Sequence, residues 1–509
     1  MLEGMIAGFL SVIQPFHLLI LCAGVFIGFL GGAAPGISGT MLVIILLPVT
    51  YSMDPTSAFL MLTSIYAASV FSGSISAILF RTPGTPEAVA TVFDGYPMAQ
   101  KGNAGKALGV AIYSSAVGGM IGTIILIFLT PLLAGFALRF SSPEYFALAL
   151  LGLTVVASLS GGNMMKGIIG VCFGLFIATI GIDAISGTQR FTFDSSFLMS
   201  GIGFVPILIG LFAISEVLRK SQEDHNIKVK MKKVKQKLID FSLFKSLSSI
   251  IGRSSLLGVA IGILPGVGAT TAAMLGYSEA VRWSKKKDEF GKGNPEGIAA
   301  PESANNAAAM GALVPLLSLG IPGSATTAVI LGAFILHGMQ PGPMLLTTHS
   351  TLVYSIFIGL LIVNILIIIF AKPFISMFSQ TLKIPYTVMG PIIILFCIIG
   401  SYAVRNSIFD VWIMLLFGII GFMLEKNKFP LAPIVLGVVL GPLAEQEFRR
   451  SLQMANGDFS IFFTRPISAI LISIAVIAIL APLLKKVLDK RKMKLTESKR
   501  EGKISPTLK

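Results

Sequence analysis

Apolar residues in this chain run on without alternating, in stretches of membrane-crossing length interrupted at four places by Pro-Gly-Ser/Thr clusters. His17–Leu30 leads into the first interruption, while Leu352–Phe370, Tyr386–Val404 and Ile467–Leu484 are continuous runs of the same kind. Apolar runs of roughly 18 or more residues predict transmembrane helices, and their continuity argues against a barrel of alternating strands. The interruptions come in two pairs. Gly31-Gly32-Ala33-Ala34-Pro35-Gly36-Ile37-Ser38-Gly39-Thr40 is echoed by Gly262-Ile263-Leu264-Pro265-Gly266-Val267-Gly268-Ala269-Thr270-Thr271. Arg81-Thr82-Pro83-Gly84-Thr85-Pro86 is echoed by Gly320-Ile321-Pro322-Gly323-Ser324-Ala325-Thr326-Thr327. Pro35 and Pro265 are 230 residues apart, Pro83 and Pro322 239. Proline removes a helical N–H and glycine weakens a helix, so each cluster predicts a break. Backbone freed at membrane depth survives only where protein buries it or it lines a wet cavity. Paired breaks in two halves point to the substrate site of a secondary transporter. The expected fold is an all-α polytopic membrane protein of two structurally repeated halves. Its broken or re-entrant helices meet near the bilayer midplane, and inverted topology is the favoured relation between the halves.

Composition agrees: hydrophobic residues make up 54% of the chain and charged residues 12%, about half the usual soluble share of ~25%. The net charge of +15 is concentrated outside the apolar runs. No Lys or Arg precedes Arg81, and the basic residues crowd into Leu218–Lys245, with Lys228, Lys230, Lys232, Lys233, Lys235 and Lys237, and into Lys485–Lys509. The positive-inside rule puts both stretches on the cytoplasmic side, near anionic lipid, and no nucleic-acid motif accompanies them. The chain therefore divides into a first transmembrane half (1–215), a basic cytoplasmic linker (216–245), a second transmembrane half (246–484) and a basic cytoplasmic tail (485–509). Arg282 and Lys285–Lys287 add a further basic cluster. With both flanks cytoplasmic, Ser246–Trp283 reads as a re-entrant hairpin with its tip at Pro265–Thr271; a pair of thin or tilted spans is the other reading. Met1–Val12 has no basic start and reads as a short interfacial helix, not a cleaved signal. Cys22, Cys172 and Cys397 stand far apart in apolar runs, as small buried hydrophobes would.

The candidate chemistry gathers at the breaks. A broken helix exposes N–H groups on one half and C=O groups on the other; the first suits a carboxylate and the second Na⁺. Ser38, Thr40, Thr82, Thr85, Thr270, Thr271, Ser324, Thr326 and Thr327 bring hydroxyls that donate to a carboxylate or coordinate a hard cation. Gly36, Gly39, Gly84, Gly266, Gly268 and Gly323, beside Pro35, Pro83, Pro265 and Pro322, let a ligand approach the backbone. For each hydroxyl the alternative is a bond back into its own helix. Ser74 lies in a small-residue surface, Ser72-Gly73-Ser74-Ile75-Ser76, that permits close helix approach. Arg81 is either a bidentate carboxylate clamp or a snorkelling anchor. Asn305 and Asn306 are either ligand amides or interhelical glue. Phe93–Gly102 reads as a turn-rich return to the interface, and Ala300–Ala307 reads as opening a helix, with Pro301 near its start. Glu87 and Glu302 read equally as functional acids and as first-turn acids of helices. His337 and His349 lack partners at metal spacing, and no catalytic elbow, phosphate loop or His/Glu metal motif appears, so an enzyme is not expected. A secondary active permease is the leading reading. A channel or a cation/proton antiporter is the alternative, disfavoured because acids cluster at break edges and interfaces.

The same segments carry a resemblance. Pro35–Thr40, Gly73–Leu79 running into Thr82-Pro83-Gly84-Thr85, Asp94-Gly95-Tyr96-Pro97 and Ala300–Ala307 resemble the large membrane subunit of tripartite tricarboxylate transporters. Leu319–Thr327, His337–Pro343, Asn406–Trp412 and Phe429–Gly437 through Leu440-Gly441-Pro442-Leu443 extend it over nearly the whole chain, linker and tail apart. Arg81 departs from the asparagine expected before Thr-Pro-Gly. The resemblance implies a permease of the bacterial cytoplasmic membrane working with a small membrane subunit and a periplasmic solute-binding protein. It also implies carboxylate uptake, of citrate or its relatives, by symport with Na⁺ or H⁺, and no cofactor beyond that coupling ion.

Overall fold

The computed structural model describes residues 2–34, 37–159, 164–222, 241–381 and 386–480, without the side chains of 159, 241–242, 376–381 and 386–389. Pro35, Gly36, most of the expected linker and the tail fall outside the described residues. The first half comprises α1 (Leu2–Val12), α2 (Pro15–Ala33), α3 (Gly39–Thr50), α4 (Pro55–Phe80), α5 (Val92–Met98), α6 (Ala104–Ala137), α7 (Ser142–Leu159) and α8 (Met164–Ala178). A small antiparallel hairpin, β1 (Gly181–Ile182) with β2 (Gln189–Arg190), leads to the short α9 (Ser196–Met199), α10 (Phe204–Leu208) and α11 (Ser215–Lys220). After the linker come α12 (Phe241–Gly262), α13 (Gly268–Trp283), α14 (Glu296–Gly311), α15 (Leu313–Leu319), α16 (Ala325–Leu336) and α17 (Leu345–Thr348). The long α18 (Ser350–Thr381), α19 (Tyr386–Arg405), α20 (Ile408–Lys426) and α21 (Ala432–Met454), then α22 (Ile461–Thr464), complete the order. Among the described residues five helices are long and apolar enough to cross a membrane: Pro15–Ala33, Pro55–Phe80, Val92–Ala137, Ser350–Ile375 and Ile408–Lys426. The chain is an all-α, multi-pass membrane protein.

Two helices sit at the centre. Every residue from Ser57 to Ile78 on α4 is buried, and so is every residue from Gly297 to Gly311 on α14. Helix α14 is built almost wholly of small residues, which lets neighbours come to backbone contact. A Cβ on Gly118 of α6 would strike the Ser303 carbonyl, one on Gly276 of α13 would lie 3.0 Å from the Ala300 carbonyl, and one on Gly258 of α12 would strike the Ala304 carbonyl. Helix α4 is gripped likewise: added Cβ atoms at Gly24, Gly28 and Gly32 of α2 would lie 3.0, 2.8 and 2.5 Å from the carbonyls of Met61, Ile65 and Ser69. Glycines four apart on one helix thus track carbonyls four apart on the next. Inside lipid, such close packing supplies the dispersion contacts that replace a hydrophobic driving force.

Local chemistry sets the ends. Asp54 caps α4, accepting from the Ser57 N–H at 3.0 Å, with Pro55 pre-set at the first helical position. Helix α14 starts at Glu296, whose N–H is capped by the Asn294 side chain at 2.9 Å. The start expected near Ala300 is therefore too late: Pro301 lies inside the helix, and Glu302 is a mid-helix acid instead of a first-turn one. The expected turn after Phe93 is likewise helical over Val92–Met98, turning at Gly102 with φ 84°. Helices α12 and α13 pack together as a hairpin whose turn is 263–267.

Candidate substrate site

Each break ends one helix and starts another, and glycine or capping chemistry makes the turn. Helix α15 stops at Gly320, φ 75°, and Ile321-Pro322-Gly323 leads to Ser324, which caps α16 in a box closed by Thr327. Ser38 caps α3, accepting from the Met41 N–H at 3.2 Å. Gly266 and Gly268, φ 77° and 75°, turn the chain between α12 and α13. Helix α4 ends on Arg81 in the left-handed region at φ 60°.

The four breaks are joined to one another. The Thr40 and Thr326 hydroxyls lie 2.6 Å apart, tying the first break to the fourth. The Gly266 N–H donates to the Gly323 carbonyl at 2.9 Å, tying the third to the fourth. In the second, the Gly84 N–H donates to the Gly73 carbonyl at 3.1 Å, and a Cβ there would strike the carbonyl of Gly32, just before the first break. Gly323 is seated alike, with an added Cβ 2.8 Å from the Gly262 carbonyl and 2.8 Å from the Ala312 Cα. The second break reaches α14 through Asn305, whose amide donates to the Glu87 carbonyl at 3.2 Å. Asn306 donates to the Asn305 side chain at 2.8 Å and to the Glu302 carbonyl at 3.0 Å.

Not every candidate joins this cluster. The Ser74 hydroxyl donates to Phe71 in its own helix at 2.7 Å, Thr82 to the Phe80 carbonyl at 3.3 Å, and exposed Thr271 to Val267 at 2.8 Å. Thr270 is half-buried near the start of α13 and Thr85 is buried beside Gly73. Pro83, Pro265 and Pro322 flank the turns, and Gly39 packs on the Ser69 hydroxyl. Arg81 is exposed, its guanidinium carbon 5.9 Å from the Tyr96 ring centroid. Among the described residues no group of three or more His, Cys, Asp or Glu side chains is arranged to hold a metal.

Four residues absent from the candidates, Tyr66, Thr91, Ser115 and Asp94, belong to the neighbourhood. Buried Tyr66 on α4 places its hydroxyl 3.4 Å from that of Ser324. Thr91 and Ser115 both donate to the fully buried carboxyl of Glu302, Ser115 at 2.7 Å. Asp94 on α5, also buried, accepts from the Gly293 and Asn294 N–H groups at 2.8 Å each and from the Tyr277 hydroxyl at 3.0 Å. Away from the breaks, Asp183 in the hairpin accepts from Ser186 at 2.5 Å and from Arg449 at 2.6 Å. Those bonds hold its carboxyl well below the usual carboxylate range.

Helix starts, small residues and hydroxyls are thus brought together at the broken segments. Over 484 residues the chain is 39% identical to an uncharacterized 52.8 kDa protein of the TAR-I ttuC' 3' region of Agrobacterium vitis, spanning 95% of this chain and 96% of that protein. An uncharacterized protein of the TAR-II ttuC' 3' region of the same organism is 41% identical over 234 residues, 46% of this chain and 97% of that protein. No solved structure gives a significant match. The family model for the tripartite tricarboxylate transporter TctA family matches residues 18–436, and the chain belongs to that family, one of transporter components and not of enzymes.

Proposed function

We propose that the chain is the permease subunit of a secondary active carboxylate importer, with its substrate site at the junction of the four breaks. The observation that carries the reading is the Thr40–Thr326 contact. Each threonine is the second residue of a 12-residue helix that starts at a break. The positive ends of two helices therefore converge, and both bring hydroxyl donors, which suits a substrate with more than one carboxylate.

Contacts separated by the two sequence offsets support the repeat reading. Gly28 faces Ile65 and Gly32 faces Ser69; 230 and 239 residues further on, Gly258 faces Ala304 and Gly262 faces Ala308. Gly84 against Gly32 and Gly73 has its counterpart in Gly323 against Gly262 and Ala312. Tyr66 on α4 bonds to the fourth break, and its counterpart Asn305 on α14 bonds to the backbone just after the second. Each central helix thus reaches into the other half's break, the arrangement of a site at a repeat interface.

The family's tripartite organisation favours a small membrane subunit and a periplasmic solute-binding protein as partners, and a bacterial cytoplasmic membrane as the location. Linker and tail would face the cytoplasm, so a cysteine at Gln222 should be labelled only after cell lysis. Coupling to a Na⁺ or H⁺ gradient would drive import. Reconstitution of the three components into vesicles tests the whole reading. Accumulation of radiolabelled citrate or another di- or tricarboxylate against its gradient is expected. Flux that only equilibrates would mark a channel, and cation exchange without carboxylate movement an antiporter.

A further inference from the structure

Glu302 is a buried acid that the substrate site does not employ. It lies on α14 one turn before Asn305 and Asn306, with no exposed surface, and its two carboxyl oxygens are taken by two different segments. Thr91, just beyond the second break, donates to Oε1, and Ser115 on α6 donates to Oε2 at 2.7 Å. Both hydroxyls are themselves fully buried. Neither oxygen has a Lys, Arg or His within ion-pair distance among the described residues, so the carboxylate form is held by neutral donors alone. The titratable groups on the elements packed against α14 are Tyr66 on α4, Glu87 at the second break, Asp94 and Tyr96 on α5, Lys106 and Tyr113 on α6, Lys245 and Arg253 on α12, and Tyr277, Glu279 and Arg282 on α13.

We infer that Glu302 is the proton-binding site that couples import to a proton gradient, an inference that rests on the permease reading above. Ionised, the carboxylate only accepts, and both hydroxyls point at it. When it takes up a proton, one oxygen becomes a donor, and one of the two hydroxyls must turn away or become an acceptor. On the Thr91 side that change falls on the segment 86–91, which α14 holds through two hydrogen bonds, Asn305 to the Glu87 carbonyl and Thr91 to Glu302. One proton added to Glu302 therefore loosens the second break from α14, and its loss restores the grip. Asn305, which also holds the segment through the Glu87 carbonyl, is fixed by Asn306, itself bonded to the Glu302 backbone carbonyl, so the loosened segment leads to the amide at the substrate junction. A sodium ion at this position is disfavoured by geometry, since both carboxyl oxygens are already covered by hydroxyls and Na⁺ would need several more oxygens around it.

The test uses the chain reconstituted with its two partner components, and radiolabelled citrate with a panel of di- and tricarboxylates as probes. In wild-type vesicles an inward proton gradient should drive accumulation, and substrate entry should carry protons that a trapped pH dye reports. Glu302→Gln keeps a buried hydrogen-bonding side chain but fixes its charge. It should lose the response to the gradient and the proton signal while still exchanging substrate across the membrane in counterflow. Thr91→Val and Ser115→Ala each remove a donor to the ionised form, so each should move the midpoint of the pH–transport profile to higher pH. A merely structural hydroxyl would leave that midpoint in place. Glu302→Gln vesicles that accumulate substrate on a proton gradient as wild type does would overturn the assignment, as would wild-type accumulation driven by Na⁺ alone. Wild-type vesicles that move no carboxylate in either assay would sink the permease reading itself.

Discussion

The hydroxyls of Thr40 and Thr326, 286 positions apart in sequence, meet at 2.6 Å where two helices begin. Thr326 is buried and Thr40 half-buried, so removing one hydroxyl leaves the other without its partner. An unmatched buried hydroxyl costs about 1–3 kcal/mol. Thr40→Val and Thr326→Val should each weaken carboxylate uptake about tenfold. The double variant should be no worse than the poorer single one, because both remove the same contact. Uptake kinetics of the four proteins in vesicles check this. Additive losses would mean that the two hydroxyls act separately.

Arg81 stands apart from that junction. Its side chain is exposed over Tyr96, and its backbone holds φ 60°, a conformation costly for a residue with a side chain. Arg81→Lys should leave the uptake KM within about threefold of wild type, since an exposed cation over a ring is worth only about 0.5–1 kcal/mol. A KM raised tenfold or more would return Arg81 to the role of carboxylate clamp, which needs the planar fork.

The hairpin network gives a pH prediction. Ser186 and then Arg449 hold Asp183 well below its ordinary value, so the unfolded chain binds its proton more readily than the folded one. Its contribution to stability is therefore complete above the ordinary carboxylate pKa of about 4 and is lost as pH falls below that through the depressed folded value. Thermal unfolding of the purified protein should show Tm dropping below about pH 4, and Asp183→Asn should shrink that drop while lowering Tm at neutral pH. An unchanged acid limb in the variant would place the acid sensitivity elsewhere.

Much of this was readable from composition and pattern. Proline and glycine punctuate the breaks because proline ends a helix and glycine turns the chain without a side-chain clash, and their two offsets reappear in the glycine contacts of α2 on α4 and α12 on α14. Which break meets which is a tertiary matter that local sequence does not encode. Tyr66, Thr91 and Ser115 lie on or beside long apolar helices, where a hydroxyl that faces a partner reads the same as one bonded to its own turn. Ser74 and Thr271 are the converse, hydroxyls beside breaks that close on their own helices. Glu302 lies in mid-helix because α14 begins at Glu296, whose N–H is held by the Asn294 side chain, about a turn and a half before Pro301, the residue that reads as a helix start.

The two seated glycines allow the sharpest test of the breaks. At Gly84 a methyl group would strike the Gly32 carbonyl and lie 2.9 Å from the Gly73 Cα. At Gly323 it would lie 2.8 Å from both the Gly262 carbonyl and the Ala312 Cα. These neighbours are backbone, which cannot swing aside as a side-chain tip can, so helices must part to admit the methyl. Overpacking of this kind costs about 1–3 kcal/mol or more. Gly268 is the internal control: it turns the chain at φ 75° in open space, so alanine there meets strain of about 1–3 kcal/mol but no clash. Gly84→Ala and Gly323→Ala should each cut uptake more than about tenfold in protein that still inserts in the membrane. Gly323→Leu should abolish it, and Gly268→Ala should keep most of it. If Gly84→Ala and Gly323→Ala transport as well as Gly268→Ala at equal membrane abundance, close seating of the breaks is not what the transport cycle needs.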